Sequence, residues 1–425
     1  MTLQATPPPK TVVVLGVAYG GIGALATLAK LLPAGWRVLG IERSTHAHHV
    51  YVFPRFSVLP EHAPRGLVPL VNAVYGGRVT PGPDIKPGKG AADASPGTEH
   101  ELVRGVVTAL TPTSVTFALP IDGEFPADLS GAEKRTVEFE YAVYALGGVL
   151  SAPSDAWGGG PGRDVVPGRG SKPGAVGFIR AIHDKIAAAR RVLVVGGGAL
   201  GIQFASDIKA ANPEKEVTLL HSRARLLPLY HEELHAAVVK RLAELGVRTV
   251  LGERVLQWPE RPLDVDGSDK TVTTDKGTTL TADLVLVCTG SKPNTALFEG
   301  VDAGAILPNG LIHVEPTLQV AGRRHWFAIG DSADSEGIFA GHESYAQGSC
   351  AARNVLRLIE TREGREATPL EEYKAGPARI KVSLGINEYV VGTADGATSH
   401  DDGPADIHAK LMWSLFGVED KGDDE

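Results

Sequence analysis

An α/β fold, with two Rossmann-like dinucleotide-binding domains and a small α+β C-terminal domain, follows from three features of the sequence. Arg191 to Arg223 reads as strand, glycine-rich turn, helix and second strand. Thr11 to Glu42 repeats that pattern earlier in the chain. A late apolar run, Trp326 to Asp331, ends in Gly330-Asp331.

In the first unit, TVVVLGVAYGGIG, an apolar strand runs into Gly16, Ala18 and Gly21, and a helical pattern continues over Ala24 to Leu32. The first position allows a tight turn, the second lets backbone approach a pyrophosphate, and the third lets helix and strand pack closely. The helix N-terminus then faces the phosphates. Ala18 departs from glycine, so one methyl crowds the pyrophosphate. A second strand, Arg37 to Ile41, ends at Glu42, which can accept from ribose hydroxyls.

Gly76 to Glu99 is rich in Gly and Pro and reads as a loop. Glu101 to Leu119 and Thr136 to Tyr144 carry alternating and β-branched apolar residues, which predict strands closing the first domain. Tyr141 to Gly148 then turns sharply. A second Gly/Pro-rich connection, Pro153 to Gly177, predicts a crossing between domains.

The second unit places Gly196, Gly198 and Gly201 after the run Val192 to Val195, and its second strand, Val217 to Leu220, stops at His221-Ser222-Arg223. A lone glycine fingerprint says little; two in one chain, each in strand–turn–helix–strand context, say much. Beyond it the spacing predicts a helix over Glu232 to Leu245, strands over Arg248 to Leu251 and Thr271 to Thr274, and a buried strand over Ala282 to Thr289 ending at Gly290. A helix is expected over Ser344 to Glu360. Glu371 to Phe416 reads as two short strands and a final helix, and Glu419 to Glu425 as a frayed acidic tail. The implied domains are 1–155 with 290–367, 156–289, and 368–425.

A chain of 425 residues exceeds a single compact core, and a net charge of −8 offers no electrostatic footprint for nucleic acid. No apolar run is long enough to span a bilayer, and MTLQATPPPK has neither a secretory core nor a myristoylation glycine. The expected place is the cytoplasm; peripheral membrane contact and a homodimer are left open. With two cysteines, Cys288 and Cys350, there is no disulfide framework and no Cys-x-x-Cys relay.

The two fingerprints, with Ala-Leu-Gly-Gly at 145–148, Cys-Thr-Gly at 288–290 and Ala-Ile-Gly-Asp at 328–331, resemble the two-dinucleotide-binding-domain flavoproteins. HAHHVYVFPRFSVLP at 46–60, EVTLLHSRARLLP at 216–228, DLVLVCTGSKPNTALF at 283–298 and PLEEYKAGPARIKVSLG at 369–385 resemble the apoptosis-inducing-factor-like, ferroptosis-suppressor-like branch, related to type II NADH:quinone oxidoreductases. The resemblance spans nearly the whole chain. It implies FAD on the first unit and NADPH or NADH on the second. By it Gly16, Ala18 and Gly21 line the FAD pyrophosphate, Glu42 the adenosine ribose and Asp331 the ribityl–phosphate region, with Arg43 and Gly147 also among the cofactor-binding residues. Arg55 falls near the flavin, Gln347 at the start of a helix aimed at the isoalloxazine pyrimidine, and Lys374 close to the ring. Gln203 stands where the branch often has a glutamate facing nicotinamide and flavin; a neutral amide cannot accept a proton there.

Each assignment has a plainer rival. His46, His48 and His49 lack the further ligands of a zinc site, and solvated or hydrogen-bonded imidazoles are the better reading. Asp331 could merely end a strand, but two earlier fingerprints favour cofactor contact. Lys374 fits a solvated surface lysine equally well. Ala405 to Phe416 has one fixed positive charge, Lys410, where a membrane-surface helix usually carries several, so core packing is favoured, with a bordering quinone tunnel compatible. At His221-Ser222-Arg223 no carboxylate repels a 2′-phosphate, and Arg223 with Arg225 can pair with one, so acceptance of NADPH, and a preference for it, is the expectation, with Arg223 as a solvated loop residue the plainer rival.

The expected activity is hydride transfer from NAD(P)H through flavin N5 to a quinone-type acceptor without a redox disulfide, with oxygen as a slow default. The alternatives are a slow-turnover redox-sensing signalling flavoprotein and a ferredoxin-type reductase.

Overall fold

The structure, a computed structural model, describes residues 9–75, 100–151, 153–158 and 166–419. The loop expected at Gly76 to Glu99 lies outside them, as do residues 420–425 of the acidic tail.

Val12, Val13, Val14 and Leu15 are wholly buried, as a strand covered on both faces demands. Their strand, Lys10–Leu15, lies inside a six-stranded sheet in the order Gln319–Val320, Arg323–Ala328, Tyr141–Tyr144, Lys10–Leu15, Trp36–Glu42 and Glu101–Arg104. All pairings are parallel except that of the first two strands. Spatial neighbours Tyr141–Tyr144 and Arg323–Ala328 are far apart in sequence, and the residues between the short strands Gly148–Val149 and Lys292–Pro293 form an insertion. The long helix Gly341–Arg362 packs on Tyr19–Leu31 at glycine contacts: a Cβ on Gly348 would lie 2.0 Å from the Gly20 carbonyl oxygen.

The insertion is built on a four-stranded parallel sheet ordered Arg248–Leu251, Glu216–His221, Arg191–Val195 and Leu284–Val287. Helices Ala199–Ala211 and Glu232–Leu245 pack in one core with Leu219 and Leu286. A separate cluster joins Leu193, Val195, Leu220 and Val285 to an antiparallel sheet of Val255–Gln257, Lys270–Thr274 and Thr279–Ala282. The chain leaves and re-enters the first unit through two short strands that pair with each other, Gly148 opposite Pro293 and Val149 opposite Lys292.

Three elements differ from expectation. Helix Lys172–Ala188 begins inside the connection expected to run to Gly177: Ser171 Oγ accepts the Gly174 amide, and a proline sits in the first turn, so Ser-Lys-Pro is a helix start rather than a loop. The C-terminal part has three strands, Ile380–Ser383, Tyr389–Gly392 and Ala397–His400. Its last element is a 3₁₀ helix, Ala409–Phe416, because Ile407 and His408 take positive φ of 55° and 59°, incompatible with helix entry at 405. Trp413 and Phe416 are buried in the first unit's core, and Trp413 Nε1 donates to the Arg65 carbonyl at 3.0 Å. That is the core packing expected of this segment. Among the described residues no helix is long and apolar enough to cross a membrane.

Candidate cofactor-binding site

The first glycine turn has the geometry its spacing predicts. Gly16 lies at φ +84°, and a Cβ on Gly21 would sit 1.8 Å from the Gly16 carbonyl oxygen, so strand and helix touch through backbone. Ala18 precedes helix Tyr19–Leu31 at φ −91° with no side-chain cap, leaving first-turn amides for a ligand. Its methyl costs no backbone strain.

A cavity of about 440 Å³ opens at this turn, and Gly16, Ala18, Glu42, Arg43, Gly147 and Asp331 all line it. Glu42 accepts the Val17 amide at 2.7 Å and the Ser44 amide at 3.0 Å, which fixes the carboxylate while lone pairs remain for a ribose. Burial raises the Asp331 carboxyl above its ordinary range, against a hydrogen bond from Ser291. An uncapped helix start, a strand-end acceptor and a carboxylate beyond the Gly330 turn along one cavity fit FAD.

The cavity also uses residues that small-residue motifs do not reveal. Tyr19 and His48 line it; the Tyr19 hydroxyl and His49 Nδ1 are 2.6 Å apart, and burial, then Asp331, raises the tyrosine's pKa. The His48 ring stacks on Trp157 at 4.1 Å and 6°, the Arg43 guanidinium lies 4.6 Å from the same indole, and the indole N–H donates to Ser44 Oγ. Among the described residues neither ring nitrogen of His48, 3% exposed, has a hydrogen-bond partner. Phe339 lines the cavity while 63% exposed, an apolar rim near Asp331 and Gly341. His46 lies 2.8 Å from the Thr45 hydroxyl. The signal for Trp157 was an isolated tryptophan in a Gly/Pro-rich connection; Tyr19 and His48 sat in segments already singled out.

The second turn repeats the first. Gly196 lies at φ +121°, where a Cβ would come 2.1 Å from the Cys288 carbonyl oxygen, and a Cβ on Gly201 would lie 1.8 Å from that of Gly196. Gly198 caps helix Ala199–Ala211 without a side-chain bond, and a Cβ there would meet nothing within 4 Å: the open space is what a ligand would use. Gly290, φ +101°, follows the strand Leu284–Val287 beside this turn.

The corner carries one exact correspondence between the units. The Gly197 amide donates to His221 Nδ1 at 3.0 Å, as the Val17 amide donates to Glu42. An accepting Nδ1 assigns the proton to Nε2. Burial, then Arg223, lowers the His221 pKa. Ser222 is half-buried and Arg223 exposed, whereas Arg225 turns to the Tyr230 carbonyl.

Three expectations change, and of the two readings of Lys374 the position is that of the solvated surface lysine. Arg55 does not line the cavity: it is 1% exposed, forms a two-pronged ion pair with Asp207 at 3.1 Å, and donates to the carbonyls of Gly385, Ile386 and Ala405. Gln203 is 1% exposed and donates to Ser383 Oγ at 3.2 Å, facing the C-terminal sheet. Gln347 lies in the second turn of its helix; Gly341 and Ser344 of that helix line the cavity, while Gln347 accepts the Gly330 amide at 2.7 Å and donates to Ser335 at 2.9 Å, holding the Asp331 turn. Lys374 is exposed and off the cavity wall, beside Tyr373, whose hydroxyl donates to Glu343.

Cys288 and Cys350 are free and buried. Burial raises both thiols, Cys350 to about 12.

The family model of the pyridine nucleotide-disulphide oxidoreductases matches residues 10–353. Fe-regulated protein 8 of Mycosarcoma maydis is 37% identical over 421 residues, 96% of this chain and 95% of that protein. Ferroptosis suppressor protein 1 of Mus musculus is 34% identical over 219 residues, 50% of this chain and 56% of that protein, so the match spans about half of each. The crystal structure of reduced CoADR-RHD from Bacillus anthracis superposes with a TM-score of 0.62 at 18% identity, covering 91% of this chain and 61% of that one, a likeness of fold.

Proposed function

The chain belongs to the pyridine nucleotide-disulphide oxidoreductase family and is an FAD- and NAD(P)H-dependent oxidoreductase, and on that premise we propose that its acceptor is a quinone-type molecule reduced directly at the flavin. The observation that carries this is the exposed Phe339 on the rim of a cavity that also holds Asp331 and the Gly341 helix start. An aromatic rim suits a flat apolar acceptor. The two buried, unpaired thiols offer no disulfide to carry electrons elsewhere.

Bound FAD and NAD(P)H supply the redox chemistry; the protein binds, orients and excludes water. Gly16 and Gly21 shape the first turn, the amides after Ala18 would take the pyrophosphate, Glu42 the ribose, and Asp331 the ribityl end. On the second unit the amides after Gly198 would take the coenzyme's pyrophosphate, with His221 and Arg223 at its ribose. His221 in the place of an acid, with Arg223 exposed beside it, supports acceptance of NADPH as well as NADH.

Anaerobic titration of the holoprotein with each coenzyme, followed by reoxidation with a quinone panel, a ferredoxin and oxygen, tests the proposal. Bleaching by NAD(P)H and rapid reoxidation by quinones are expected. Faster reoxidation by the ferredoxin, or quinones no better than oxygen, would overturn it.

A further inference from the structure

One face of helix Ala199–Ala211 is polar where it should be apolar. Gln203, Ser206 and Asp207, spaced as neighbours on a helix surface, are 1%, 0% and 0% exposed. Each is bound outside the helix. Gln203 donates to Ser383 Oγ, Ser206 Oγ donates to the Ser383 carbonyl at 3.3 Å, and Asp207 holds Arg55 with both oxygens. Arg55 comes from the short helix Phe53–Phe56 of the first unit and also donates to the carbonyls of Gly385, Ile386 and Ala405. One guanidinium therefore joins the FAD unit, the coenzyme unit and the C-terminal part.

A buried ion pair is a poor way to gain stability, since well-packed apolar residues of similar volume often do as well, but it fixes one geometry when all its donors are used. The same helix starts at Gly198, where its free amides would meet the coenzyme pyrophosphate. From Gly198 to Asp207 is nine residues, a lever of about 13 Å, so a tilt of about 5° at the Arg55 end shifts the pyrophosphate site by about 1 Å.

We infer that the Arg55–Asp207 pair is a positioning device for hydride transfer, setting where the coenzyme unit presents the nicotinamide to the flavin. The inference rests on NAD(P)H-to-flavin hydride transfer as proposed above. Arg55 is a positioning residue. Its effect runs through the helix, because donor and acceptor must meet within about 3.5 Å and an error of about 1 Å can cost a hundredfold in rate.

The test uses the FAD-loaded full chain in four forms: wild type, Arg55→Lys, Arg55→Met, and Arg55→Met with Asp207→Leu, which leaves no buried charge unpaired. For each, FAD content, Tm, photochemical reduction of the flavin, and the limiting rate and dissociation constant of NADPH reduction are measured. The double variant is expected to keep its FAD, photoreduce fully and bind NADPH within about threefold of wild type, while its limiting reduction rate falls at least tenfold; the lysine variant falls between. A limiting rate equal to wild type in an FAD-loaded double variant overturns the inference. So does a rate that falls only in proportion to lost FAD, which marks a merely structural pair. A wild-type protein that photoreduces but is reduced by neither coenzyme overturns the hydride-transfer reading itself, and this inference with it.

Discussion

Replacing His221 with glutamate should turn the coenzyme corner toward NADH. The geometry for the swap already exists in the chain: Glu42 accepts the Val17 amide at the place where His221 accepts the Gly197 amide, so a glutamate at 221 can keep the glycine turn intact. What changes is the face shown to the ligand. The imidazole, with its proton on Nε2, presents a neutral donor, whereas a carboxylate presents two acceptors and a charge. A carboxylate about 4 Å from a phosphate charge costs about 4 kcal/mol at an effective dielectric of about 20. Because the corner is half-exposed and Arg223 stands beside it, screening leaves about 2–3 kcal/mol, or about 30- to 150-fold weaker NADPH. NADH should gain about 1–2 kcal/mol from hydrogen bonds between the carboxylate and the ribose diol. Stopped-flow bleaching of the flavin at increasing coenzyme gives both dissociation constants. If NADPH and NADH weaken by the same factor, the corner does not read the 2′ position and the correspondence with Glu42 is only architectural.

Neutralising Arg223 (Arg223→Ala) should weaken NADPH about tenfold and NADH less than threefold by the same titration, since an exposed guanidinium pairs with phosphate at modest strength. Gly21→Ala and Gly201→Ala should separate the two sites. Each Cβ would fall 1.8 Å from a carbonyl oxygen, so the first should purify without FAD, and the second with FAD that photoreduces but that NADPH no longer bleaches. Acid should destabilise the fold through His48, whose pKa is lowered to about 3 by burial, then by Arg43 and His46. The unfolded chain binds that proton near pH 6.5 and the folded chain refuses it, so its contribution is complete above about pH 6.5 and is lost at about 1.4 kcal/mol per pH unit down to about 3. His48→Phe, which can keep the stack on Trp157, should flatten the fall of Tm across that range by one proton's worth. Cys288→Ala and Cys350→Ala should each keep NADPH–quinone turnover within about threefold; loss of turnover with FAD retained would revive a thiol relay.

The fold class was legible because its signals are local. Gly16 and Gly21, or Gly196 and Gly201, are required by backbone contacts inside one strand–turn–helix unit, so spacing alone reveals them. Glu42 and His221 were legible for the same reason, each lying at the end of the strand that follows. Arg55 and Gln203 went elsewhere because their partners lie far off in sequence: Asp207, Gly385 and Ser383 reach them only through the packing of separate units; Gln347 turns instead to Gly330 within its own unit, at the turn that follows the strand Arg323–Ala328. A family pattern can say that a polar residue is required at such a position, but what it binds depends on which surfaces meet. The start of Lys172–Ala188 is hidden for another reason, since Ser171 and the following Lys-Pro look alike at a loop and at a helix start, and the amphipathic turns that decide it come later. The polar face of Ala199–Ala211 draws these cases together. Read alone, a Gln and an Asp one turn apart on an apolar helix suggest a site open to a ligand. Buried at 1% and 0% exposure, they are bonded instead to Ser383 and Arg55, and on the inference above they set the reactive geometry through the packing of units rather than by touching the ligand.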